Sequence, residues 1–164
     1  MAASHGSVLL VESSQDDREM YAAYLRAHEF AAVEVQTTDD ALQAASTADV
    51  IVTGIRIVGS FDGIELVRRL RQDERTKNTP LIVLTACAFE PDQSRAQMAG
   101  CDVFLPKPCL PETLLAEVER LMARGRKLRS KSDEGLNRTG NVRRKSAELL
   151  EISRDLQKRR RGRK

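Results

Sequence analysis

Asp49-Val50-Ile51-Val52-Thr53-Gly54 lies near the middle of the 164-residue chain. Its apolar residues do not alternate with polar ones, so the run reads as a strand buried on both faces. Val8-Leu9-Leu10-Val11, Leu81-Ile82-Val83-Leu84 and Val103-Phe104-Leu105 are runs of the same kind, and Val33-Glu34-Val35-Gln36 alternates like an outer strand. Between them, apolar residues recur at helical spacing: Met20, Tyr21, Tyr24, Leu25 and His28; Ala41, Leu42, Ala44 and Ala45; Ile64, Leu66, Val67 and Leu70; Leu114, Leu115, Val118, Leu121 and Met122. A weaker helix spans roughly Pro91 to Ala99 and stops at Gly100. Ser14 and Thr38 read as caps of the first two helices. Five strands alternating with five helices predict an α/β fold, a doubly wound parallel sheet with right-handed crossovers. In such sheets ligands bind beyond the carboxyl ends of the strands, and there the central run presents Gly54.

Size and charge divide the chain. Its length suits one domain plus an appendage. Residues 1–123 hold 11 Lys and Arg against 19 Asp and Glu, a net −8; residues 124–164 hold 16 against 5, a net +11. An acidic body thus carries a basic tail. Cys87, Cys101 and Cys109 are odd in number and lack CxxC pairing, which reads as reduced thiols in a cytoplasmic setting. The sequence shows no signal peptide and no stretch near the ~20 apolar residues of a membrane span. His5 and His28 have no neighbouring ligand set and receive no role.

Four stretches, in order and spacing, resemble the receiver domain of two-component response regulators. They are Val8 to Ser13; Asp49 to Gly54 with Asp62-Gly63; Pro80 to Ala86; and Gly100 to Pro108. The resemblance covers residues 6–123 and implies a flavodoxin-like sheet order, 2-1-3-4-5. Receivers carry two acids after the first strand, a phosphoacceptor Asp after the third, a Ser or Thr after the fourth and a Lys after the fifth. The acids hold Mg²⁺, and the hydroxyl and ammonium hold phosphoryl oxygens. By this resemblance Thr85 takes the hydroxyl position, Lys107 the ammonium position and Phe104 the switch aromatic position. Lys107-Pro108 matches a bond that is cis in many relatives. Glu12 matches the first acid with one extra methylene.

Two positions depart from the pattern. Ser13 stands where the second acid belongs, and Gly54 stands where the phosphoacceptor belongs. Val58 replaces a usual Pro, and Ser60 reads as one extra loop residue. Glycine has no carboxylate, so no phosphoryl group can be accepted there. Glu12 alone is a weak metal candidate, so Mg²⁺ binding is expected to be weak or absent. Asp16, Asp17 and Asp62 are alternative acceptors, placed by pattern in a helical turn or a cap; Ser13 would need an activating base. The resulting expectation is a pseudo-receiver in which Lys107 pairs with Glu12. Thr85 and Phe104 then serve either as packing residues or as a surface switched by a partner.

Beyond Met122 the sequence reads as a basic flexible linker over 124–141 and a short amphipathic basic helix or disordered tail over 142–164. Val142, Leu149, Ile152 and Leu156 form a stripe suited to self-association through 142–158 or to docking on a partner. The expected partners are a histidine kinase, a phosphotransfer protein or another regulator. Nucleic-acid binding through the tail is the alternative, without a helix-turn-helix or stacking aromatics to accompany it. An enzyme is not expected: there is no nucleophile–base pair, metal cluster or Gly-rich phosphate loop.

Overall fold

The computed structural model describes residues 4–131 and Glu151. The chain separates into two units, Met1–Ala123 and Arg124–Lys164. In the first unit, strands β1 (Ser7–Val11), β2 (Ala31–Val35), β3 (Val50–Thr53), β4 (Leu81–Thr85) and β5 (Val103–Pro106) form one sheet of order β2-β1-β3-β4-β5. Every neighbouring pair is parallel. Helices α1 (Gln15–Ala27), α2 (Thr38–Ala44), α3 (Gly63–Gln72) and α4 (Glu90–Ala99) connect the strands, and a 3-10 turn, Ala45–Thr47, extends α2. A fifth helix, α5, begins at residue 111, and its residues to 123 belong to this unit. The doubly wound fold is as the sequence predicts, and the strand order is the one the receiver resemblance implies.

Side chains alternate across each strand, so the two sheet faces build separate cores. Val8, Leu10, Val50, Val52, Ile82 and Leu84 pack with Tyr21, Ala22 and Leu25 of α1 and Leu114, Leu115, Val118 and Leu121 of α5. Leu9, Val11, Ile51, Leu81 and Val83 pack with residues of α2, α3 and α4. All four residues of β3 are buried, which accounts for the unbroken apolar run. With helices covering both faces, a polar residue on this strand would lose its water on either side.

Local chemistry sets the helix starts. Ser14 Oγ accepts from the Asp17 amide and Asp62 Oδ1 from the Glu65 amide. The cap of α2 is Thr37, one residue earlier than the sequence reading, and its hydroxyl accepts from the Asp40 amide. Thr38 is instead buried and donates its hydroxyl to the Phe61 carbonyl. Gly100 ends α4 in the left-handed conformation, at φ 113°.

In the second unit, residues 124–131 are helical, where the sequence reads as flexible linker. Seven of these eight residues are Arg, Lys, Leu or Ser, with Gly125 the one poor helix former. The rest of 124–141 and the 142–164 segment lie outside the described residues, apart from Glu151, which is helical.

Candidate functional site at the carboxyl ends of the strands

The register gathers the five carboxyl ends at one edge of the sheet, pairing Val11 with Val35 and Thr53, Thr53 with Val83 and Thr85 with Pro106. Glu12 and Ser13 follow β1, Gly54 follows β3, Thr85 ends β4, and Lys107 follows β5. A hydrogen bond from the Lys107 amide to the Thr85 carbonyl, 2.8 Å, fixes the last of these beside its neighbour. The Lys107–Pro108 peptide bond is cis.

From the end of β5, the Lys107 side chain meets two acids that follow β1 in the chain. Its Nζ donates to Glu12 Oε2 at 2.8 Å and to Asp17 Oδ2 at 2.6 Å. Gly54 lies beside Glu12. A Cβ placed on it would stand 3.8 Å from Glu12 Oε2. The expected Glu12–Lys107 pair therefore forms, and Asp17 joins it as a third member. Sequence reasoning missed Asp17 as a partner. The available signal was its spacing: it precedes the core residue Tyr21 by four, so both lie on the sheet-facing side of α1.

Three oxygen groups at this end of the sheet, those of Glu12, Ser13 and Gly54, are engaged within the chain. Glu12 Oε1 accepts from the Ser14 amide at 3.0 Å while Oε2 takes Lys107. Ser13 Oγ donates to the Gln36 carbonyl at 3.2 Å and accepts from the Val58 amide at 2.9 Å. The Gly54 carbonyl accepts from the Thr53 hydroxyl at 3.0 Å. These residues do not fit an octahedral, oxygen-ligated Mg²⁺, which needs free hard oxygens. Among the described residues, no three His, Cys, Asp or Glu side chains come together as a metal cluster.

Ser13 also ties down the β3–α3 loop. Val58 donates to Ser13, its carbonyl accepts from the Thr38 amide, and it pairs with Thr37 in an isolated parallel bridge. Asp39 Oδ2 accepts from the Ser60 amide, which holds the loop's extra residue. Arg18, buried on α1, donates to the Glu12 carbonyl at 2.8 Å and fixes the backbone of the site from below.

Thr85 is buried, and its hydroxyl accepts from the Cys87 amide at 3.0 Å. Phe104 is half-buried and packs against the core on the α4 side. Of the other candidate acids, Asp62 serves as the α3 cap and Asp17 is bound to Lys107. Asp16 sits exposed in the first turn of α1.

Burial pulls the Lys107 pKa down, but hydrogen bonds to Asp17 and Glu12 and their negative charges more than offset it, leaving it above the ordinary lysine value of 10.5. The nearby Tyr21 phenol, which donates to the Cys109 carbonyl, is also raised, chiefly by burial and by Cys109. Both groups hold their protons more tightly folded than unfolded. Their stabilisation is complete below the unfolded values, 10.5 for the lysine and 10.0 for the tyrosine, and is lost as pH rises through the folded ones. Melting temperature is expected to fall above about pH 10, and less steeply in Lys107→Gln. An equal slope in that variant would remove Lys107 from the account.

Comparison with known proteins agrees with this geometry. A family profile described as response regulator receiver domain matches residues 8–119. The phosphate regulon transcriptional regulatory protein PhoB of Escherichia coli K12 is 29% identical over 119 residues, 71% of this chain and 52% of that protein. The chain thus spans about half the length of the curated relatives it matches. A putative response regulator from Chloroflexus aurantiacus superposes with a TM-score of 0.68 at 26% identity, covering 72% of this chain and 98% of that one. The receiver domain of the Pseudomonas aeruginosa sensor histidine kinase PA1611, whose structure holds magnesium in its active-site cleft, gives 0.68 at 27% identity over 74% and 99%. With the profile covering most of the first unit and the strand order reproduced, the chain belongs to the response regulator receiver domain family.

Proposed function

We propose that this chain is a pseudo-receiver: a two-component signalling module that acts by binding other proteins without being phosphorylated. The observation that carries the reading is Gly54 at the end of β3, with the Lys107 ammonium already committed to Glu12 and Asp17. No backbone strain calls for glycine there, since Gly54 is absent from the positive-φ glycines. Backbone conformation alone therefore does not require glycine at this position. Its partners are a histidine kinase, a phosphotransfer protein or another regulator, and recognition is by surface complementarity in place of phosphoryl chemistry.

Incubation with a small-molecule phosphodonor and Mg²⁺, read by intact mass, is expected to leave the protein unmodified. A stable aspartyl-phosphate adduct, localised by peptide mapping to Asp16, Asp17 or Asp62, would sink the reading.

A second reading concerns residues 124–164. Their net +11 suits nucleic-acid phosphates, and the relative PhoB is named as a transcriptional regulator. On this reading DNA affinity falls steeply with salt and disappears when 124–164 are deleted, while pulldown of a protein partner by the first unit persists.

A further inference from the structure

Three charged side chains from three different elements meet on one atom. Glu12 follows β1, Asp17 sits in α1, and Lys107 follows β5. Side-chain exposures are 10% for Glu12, 17% for Lys107 and 38% for Asp17, so two of the three are largely withdrawn from water. Without Lys107, Glu12 and Asp17 would face each other uncompensated. Their oxygens lie 2.8 and 2.6 Å from the same Nζ, and so are at most about 5.4 Å apart. Two carboxylates that close, one of them buried, repel strongly unless a cation lies between them.

We infer that Lys107 is the resident cation of this pocket, bridging Glu12 and Asp17 in the role a divalent metal plays in receivers that bind one. The inference rests on the pseudo-receiver reading and extends it to how the site is held together. Three features support it. An ammonium offers three donors, enough to bridge two carboxylates. Gly54, whose Cβ would stand 3.8 Å from Glu12 Oε2, brings no side chain that competes for Nζ. Ser13, placed where a further metal ligand belongs, is spent on Gln36 and Val58 and holds the loop in position. One ammonium offsets one of the two carboxylate charges and lies between both, and Ser13 sets the loop position, so the chain itself supplies what holds the pocket together.

The test is thermal melting of the full chain and of Lys107→Met, each with and without millimolar Mg²⁺ or Mn²⁺. Wild-type Tm is expected to be unmoved by either ion. Lys107→Met should melt several degrees lower, and the added cation should recover at least half of the loss, because only then are two carboxylates free to bind it. A purely structural lysine would give the drop without the recovery, and that result overturns the inference. So does a wild-type Tm that rises with Mg²⁺ as far as the variant's.

Should Lys107→Met fail to fold, the wild type still decides. Mn²⁺ broadening of the Ser14 and Asp17 amide resonances would overturn the inference, and unbroadened resonances support it. The phosphodonor assay fails separately: an adduct there defeats the pseudo-receiver reading, whereas a failed cation test with no adduct defeats this inference alone.

Discussion

Gly63→Ala is expected to destabilise the first unit by more than about 3 kcal/mol, while Gly54→Ala changes stability by less than about 1 kcal/mol. The two glycines are neighbours with opposite reasons for being small. Gly63 opens α3, and its amide donates to the Ile55 carbonyl at 2.8 Å. A Cβ on it would lie 1.7 Å from the Gly54 carbonyl oxygen and 2.8 Å from the carbonyl carbon. Both are backbone atoms at the end of a fully buried strand, so neither can rotate away. The helix start would have to move, breaking the Asp62 cap and the packing of Ile64 and Leu66, both fully buried. A Cβ on Gly54 meets the tip of the Ile57 side chain at 3.0 Å, the Leu84 carbonyl oxygen at 3.5 Å and Glu12 Oε2 at 3.8 Å. A rotamer shift of Ile57 relieves the first contact. The alanine also restricts the unfolded chain, which offsets part of any strain. Urea denaturation of the two variants measures the difference. Equal losses would mean that Gly54 is held by packing, and the absence of a side chain at position 54 would then have a structural cause.

Glu12→Gln carries the second large effect, a loss of about 2 kcal/mol with an unchanged dependence on denaturant. Glu12 accepts two hydrogen bonds on separate oxygens, from the Ser14 amide and from Lys107. An amide has one acceptor oxygen and one NH₂ group. Whichever way Gln turns, one of those two donors faces an NH₂. The cost stays below that of breaking an isolated buried ion pair, because Asp17 keeps hold of Lys107. Asp17→Asn, at a more exposed site, is expected to lose under about 1 kcal/mol. If Glu12→Gln proved neutral, the ammonium would have to rest mainly on Asp17, and the bridging role of Lys107 would fail with it.

Much of the site's plan could be read from the chain before its structure. Val50 to Thr53 announce themselves because a strand covered on both faces admits no polar alternation. Glu12, Gly54, Thr85 and Lys107 each follow or end such a run, so one-dimensional spacing already assigns them to a single end of the sheet. The Glu12–Lys107 pair follows from charge: with no carboxylate at position 54, the nearest acid takes the ammonium.

Other contacts had no local signature. Ser13 meets Gln36 and Val58, 23 and 45 residues away. A serine after a strand looks the same whether it binds a metal, caps a helix or fastens a loop. Thr37 and Thr38 are adjacent hydroxyls with equal capping propensity. Packing of the β3–α3 loop turns Thr38 inward to Phe61 and leaves the cap to Thr37.

What the sequence settles by itself is chemical: which side chains exist at the strand ends, and that position 54 has none. Strand alternation, helix periodicity and turn residues are short-range patterns, so they survive being read along a line. What only the folded chain decides is who meets whom. Asp17 and Lys107 are 90 residues apart, and their contact depends on α1 and β5 being set against the same sheet. Hydrogen bonds and ion pairs act over a few ångströms, and that distance is fixed by packing, long after the residue types have been chosen.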